Sequence, residues 1–68
     1  MKFKQFEKEL KENGYGIVAM NHYKLDGKWH TYCVVLNKEG NKAIKAEAEA
    51  ENSEDVFKDI YDQIKSQN

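Results

Sequence analysis

From Lys42 to Glu51 the chain reads KAIKAEAEAE, and the order of these residues opposes their kind. Ala, Glu and Lys all favour a helix. Yet Ile44, Ala46, Ala48 and Ala50 fall on every second position, with Lys45, Glu47, Glu49 and Glu51 between them. A period of two puts one set on each face of a strand, whereas a helix would spread both sets around its circumference. The alternation predicts a strand over residues 42–51, with an alanine face flat enough for a helix to lie close.

A strand needs partners, and the preceding residues supply two. Tyr15 to Leu25 is rich in β-branched and aromatic side chains, and Trp29 to Leu36 (WHTYCVVL) continues in kind. Asp26-Gly27 between them is a strong two-residue hairpin signal. Asn37-Lys38-Glu39-Gly40 fits a type I turn with Gly in the left-handed position, followed by a bulge. Outside the strands, Phe3, Phe6 and Leu10 recur at helical spacing, and Asn13-Gly14 is a stop signal, so residues 2–13 read as a helix. Asn52-Ser53-Glu54-Asp55 is a capping sequence with an acid three residues after Asn52. Val56, Phe57, Ile60, Tyr61 and Ile64 then make an apolar stripe on a helix over about residues 53–66. The expectation is one small α+β domain over residues 1–68. Its order is α-β-β-β-α, a three-stranded antiparallel sheet with two helices packed on one face.

The turns set an expected register. With Gly40 as the bulge residue, Asn37 pairs with Asn41 and Val34 lies beside Ile44. Tyr32, Val34 and Leu36 then share the covered face with Ile44, Ala46 and Ala48. Trp29, Thr31, Cys33 and Val35 share the open face with Lys45, Glu47 and Glu49. A two-residue Asp26-Gly27 turn adds Val18, Met20 and His22 to that face; a one-residue slip would substitute Ile17, Ala19 and Tyr23. Either way the open face carries apolar groups beside carboxylates, which suits a protein interface or a homodimer seam.

Composition narrows the function classes. No apolar run among the 68 residues approaches a membrane span, the segment from Met1 to Leu10 is too charged for a signal peptide, and a single cysteine suits a reducing compartment. A soluble, cytoplasmic protein is expected. All eleven cations are lysine, so the planar guanidinium fork that reads guanine edges is missing. The net charge of −1 hides a split: residues 1–45 hold nine lysines and five acids, residues 46–68 two lysines and seven acids.

No catalytic or metal-binding constellation emerges. His30 is three residues from Cys33 and points to the opposite face of a strand. His22 could lie diagonal to Cys33, but no third orienting group accompanies the pair, and Cys33 reads as a small strand hydrophobe. His22, His30 and Cys33 lack zinc spacing, Gly14-Tyr15-Gly16 is a helix stop rather than a phosphate loop, and Asp26-Gly27 is a turn. No enzyme activity, cofactor or metal is expected.

What remains is the acidic stretch. Glu47, Glu49 and Glu51 form a strand row leading into Glu54, and Asp55, Asp59 and Asp62 follow on one helix stripe at i, i+4 and i+7. Spaced carboxylates on a rigid frame can imitate nucleic-acid phosphates and dock on a basic groove. Glu54 and Asp55 also suit the positive end of a helix dipole, and charge runs are commonly solvated faces. Trp29, beside the hairpin turn, either anchors a partner or caps the edge of the core.

In element order and size the chain resembles the double-stranded-RNA-binding domain. That family carries a basic cluster where strand 3 meets helix 2, and here the place reads Ala50-Glu51-Asn52-Ser53-Glu54-Asp55, so no RNA-binding residues carry over. In size, acidity and element order the chain also resembles the small phage-encoded anti-CRISPR proteins, several of which are acidic mimics. That resemblance implies a non-catalytic protein-binding inhibitor or modulator, of phage or mobile-element type. It would occupy the basic nucleic-acid-binding surface of a partner such as a CRISPR nuclease, through Glu47, Glu49, Glu51, Glu54, Asp55, Asp59, Asp62 and Trp29. The alternative is a small nucleic-acid binder using the Lys-rich first half, with Lys2, Lys4, Lys8 and Lys11 on the first helix.

Overall fold

The computed structural model describes residues 1–67. Helix α1 spans Phe3–Glu12, strands β1, β2 and β3 span Gly16–Leu25, Lys28–Leu36 and Ala43–Ala50, and helix α2 spans Ser53–Ser66. The sheet is antiparallel in the order β1-β2-β3. The α-β-β-β-α order and the α+β class expected from the sequence therefore hold, and alternation overrides helix propensity over β3.

Local chemistry explains each boundary. At the end of α1, the Gly14 amide donates to the Lys11 carbonyl and the Tyr15 amide to the Leu10 carbonyl, with Gly14 at φ +88°. This pairing of bonds closes a helix around a left-handed residue, and it delivers Tyr15 into the core beside Leu10. Asp26 and Gly27 both take positive φ between the Leu25–Lys28 pair, as a two-residue hairpin matching strand twist requires. Before α2, the Asn52 side-chain oxygen accepts the Asp55 amide at 2.9 Å, and the Asn52 amide group donates back to the Asp55 carboxylate at 2.9 Å.

Both helices cover the same face. Phe6 and Leu10 of α1 and Val56, Phe57, Ile60 and Ile64 of α2 form one buried cluster with Cys33, Val35, Ile44 and Ala46 of the sheet. Helix α2 lies over β2 and β3, while α1 packs on α2. Phe57 joins the layers, with its ring 5.3 Å from Phe6, 5.5 Å from Phe3 and 4.7 Å from the His22 imidazole. Strand β1 is left thinly covered, and a bulge between Ile17 and Ala19 turns Val18 out to 60% exposure.

The expected register of β2 against β3 is wrong by one residue. Val35, not Val34, pairs with Ile44, and Cys33 pairs with Ala46. Cys33, Val35 and Thr31 are buried, and Tyr32 and Leu36 stand on the open face. The cause lies in the loop. The Asn37 side-chain oxygen accepts the amides of both Asn41 and Lys42, and the Asn37 amide donates to the Lys42 carbonyl, so four residues rather than three fill the loop. One added residue exchanges the faces of a strand. Gly40 keeps its left-handed conformation, at φ +71°. The two-residue Asp26-Gly27 turn also holds, so Met20 and His22 still share a face with Thr31 and Cys33, but it is the covered one.

Candidate functional site

The exchange of faces changes what accompanies the carboxylates. On the uncovered side two lines of side chains cross all three strands: Tyr23–His30–Glu49 and Asn21–Tyr32–Glu47. The Tyr23 and His30 rings stack with centroids 5.1 Å apart, and His30 Nδ1 lies 3.5 Å from a Glu49 carboxylate oxygen. Tyr23, His30, Tyr32, Glu47 and Glu49 line an open recess of about 270 Å³. Both tyrosines are exposed, Tyr23 to 50%. The recess offers flat ring faces and carboxylate oxygens, and no lysine lines it.

The other expected site residues are distributed around this strand edge. Asp59 accepts the Gln63 side-chain amide at 3.2 Å, and the same amide donates to the Glu47 backbone carbonyl at 2.9 Å. Gln63 therefore ties the α2 stripe to the β3 row. Asp62 is ion-paired with Lys58 at 2.7 Å. Asp55 is engaged in capping α2, and Glu54 lies 4.0 Å from the chain's amino group. Among the described residues no lysine lies within ion-pairing distance of Glu47, Glu51, Asp55 or Asp59.

Trp29 does not join this set. It sits half-buried on the covered face opposite Ala50, stacked on His22 at 4.6 Å with the Lys24 ammonium 5.9 Å from its ring. It caps the edge of the core. His22 Nδ1 meets the buried Thr31 hydroxyl at 2.6 Å. Its partial burial pushes the imidazole below its usual pKa, because the charged form loses solvation. Burial pushes the Cys33 thiol up to about 11, so at neutral pH it carries no thiolate. Among the described residues no group of three or more His, Cys, Asp or Glu is placed to hold a metal ion, and no helix is long and apolar enough to cross a membrane.

Tyr23, His30 and Tyr32 are absent from the expected site because the register expected with a two-residue Asp26-Gly27 turn puts all three on the covered face; only the one-residue slip brings Tyr23 out. The signal was Asn37, whose side chain can gather two amides and lengthen a turn. Gln63 and Gln67 were also missed; their i, i+4 spacing beside the apolar stripe marks them for the strand edge.

Comparisons with protein-family models, curated proteins and solved structures found no significant match to this chain.

Proposed function

We propose that this chain is a non-catalytic protein-binding domain that inhibits or modulates a partner by covering a basic, nucleic-acid-handling surface. The observation that carries the reading is that Glu47 stands opposite Tyr32, and Glu49 opposite the His30 ring stacked on Tyr23, on the sheet face that no helix covers. A lysine or arginine entering the recess gains a carboxylate and an aromatic face together. Phosphate would meet the same carboxylates as like charge. Through Gln63 the contact extends around the β3 edge to Asp59 and onward to Asp55, an acidic band that would compete with a nucleic-acid strand by occupancy.

The test is competition combined with charge reversal. A partner captured from host lysate is held by the wild-type chain and released by duplex DNA or RNA. It is lost from Glu47→Lys/Glu49→Lys and from Glu51→Lys/Asp59→Lys, with unchanged circular dichroism. A CRISPR nuclease, the partner class that the resemblance implies, is the first to assay, by its cleavage rate with and without the chain. Retention of the partner by the reversed variants overturns the reading. A salt-sensitive gel shift of labelled duplex by the chain alone would instead favour nucleic-acid binding through Lys4, Lys8 and Lys11 of α1.

A further inference from the structure

A sheet of order β1-β2-β3 has two edges, and this one treats them unequally. Along β3 the outward carbonyls of Glu47 and Lys45 already accept the side-chain amides of Gln63 at 2.9 Å and Gln67 at 3.1 Å. Glu47, Glu49 and Glu51 line the same strand or its end. Pairing β3 with another β3 would break the amide contacts and set those carboxylates against their copies. Along β1, among the described residues, no side chain bonds to a main-chain group of Gly16–Leu25. The strand has no acid and no proline, and Lys24 is its only lysine. Such residues are the usual guards of an exposed edge, and nearly all are missing here. Two guards are present: Lys24, and the bulge at Val18, which leaves Ala19–Leu25 as the regular stretch.

The geometry points to the β1 edge as a seam between two copies of this chain, in which Ala19–Leu25 pairs antiparallel with itself. An antiparallel edge pair has its two-fold axis normal to the sheet. The product is a continuous six-stranded sheet with both helix layers on one side. With the stretch centred on itself, Ala19 faces Leu25 and Asn21 faces Tyr23 on the open side, Met20 faces Lys24 and His22 faces its own copy on the helix side, and no two lysines meet. The exposed Leu25 (54%) and Tyr23 gain cover. The groove of about 760 Å³ between β1 and the helices, lined by Phe3, Met20, His22 and Phe57 with Lys2 and Glu54, opens beside this edge. Charge selects the occupant: β1 is nearly free of it, and the acidic β3 edges end at opposite extremes of the dimer. This seam leaves both recesses open and facing the same way, so it stands apart from the function proposed above.

Sedimentation and light scattering on the full chain over a range of concentrations test the seam. The wild type should pass from 8.0 kDa to twice that mass, with amide exchange slowing at alternate residues of Ala19–Leu25 as concentration rises. Ala19→Lys/Leu25→Lys puts like charges opposite each other and should remain monomeric with unchanged circular dichroism. Ala19→Glu/Leu25→Lys puts opposite charges at the same positions and should restore the dimer. Glu47→Lys, at the far edge, should leave the mass unchanged. A wild-type chain that stays monomeric at every concentration overturns the inference, as does a dimer that survives the Lys/Lys variant.

Discussion

Along β3 the backbone is finished by glutamines of the covering helix and sits over a closed core, whereas along β1 the backbone ends at solvent and the helices barely reach. The same sheet is thus deep on one side and thin on the other. The cause is α2, which has enough apolar positions to span two strands, while α1 spends Phe6 and Leu10 on contacts centred on α2. Local stability should follow that gradient, since opening costs scale with the buried contacts given up.

The largest expected effect tests this gradient directly. Ile60 is fully buried on the inner side of α2, the helix that lies over β2 and β3, and Ile60→Ala should cost about 2–5 kcal/mol, from lost transfer energy and the cavity left behind. Val18 is turned out at the bulge, and Val18→Ala should fall within about 0.5 kcal/mol of wild type. Urea denaturation midpoints of the two variants read the difference. Comparable losses would mean that β1 is held as firmly as the core that α2 closes over β2 and β3, and the contrast between the two sides would fail.

The gradient was only half legible in the sequence. Periodicity and turn chemistry carried the elements: the alternation over residues 42–51, Asp26-Gly27, and the Asn52 cap each act through neighbours within a few positions, and each appears as read. The β2–β3 register was not legible, because it turns on whether the Asn37 loop holds three residues or four. That is decided by one side chain choosing two amides, and the apolar pattern of β2 does not arbitrate: Tyr32, Val34 and Leu36 are as hydrophobic as Thr31, Cys33 and Val35. Packing arbitrates instead. The narrow space beneath α2 takes the smaller set, and a Tyr32 hydroxyl placed there would need a partner. The carboxylates Glu47 and Glu49 were on the open face in either register, since their own alternation put them there. Their aromatic neighbours were not.

A smaller effect sharpens the account of the β3 edge. Gln63→Ala/Gln67→Ala removes three exposed side-chain bonds, two of them to β3 carbonyls, and should cost about 1 kcal/mol, read from the urea midpoint. It should also unseal the edge while leaving Glu47, Glu49 and Glu51 to repel copies. Screening that repulsion with salt should then raise light scattering in the double variant and not in wild type. Equal scattering at all salt concentrations would mean that the glutamines brace the helix without guarding the strand.

The smallest effect lies on the thin side, at His22. Its imidazole is pressed between Trp29 and Phe57 and bonded to Thr31, and its pKa is lowered by burial. Below the ordinary histidine value near 6.5 the unfolded chain therefore binds a proton that the folded chain resists. Stability should rise with pH through that region, be fully present above 6.5, and decline as pH falls toward the lowered value. The informative quantity is the difference between wild type and His22→Gln, which can still meet the Thr31 hydroxyl. The variant should show a shallower fall in denaturation midpoint between neutral and mildly acidic pH. Because the imidazole is only partly buried, the change in slope should be slight. A variant slope equal to that of wild type would mean that the ring is solvated enough to accept its proton without cost, placing β1 even further outside the core than its exposure suggests.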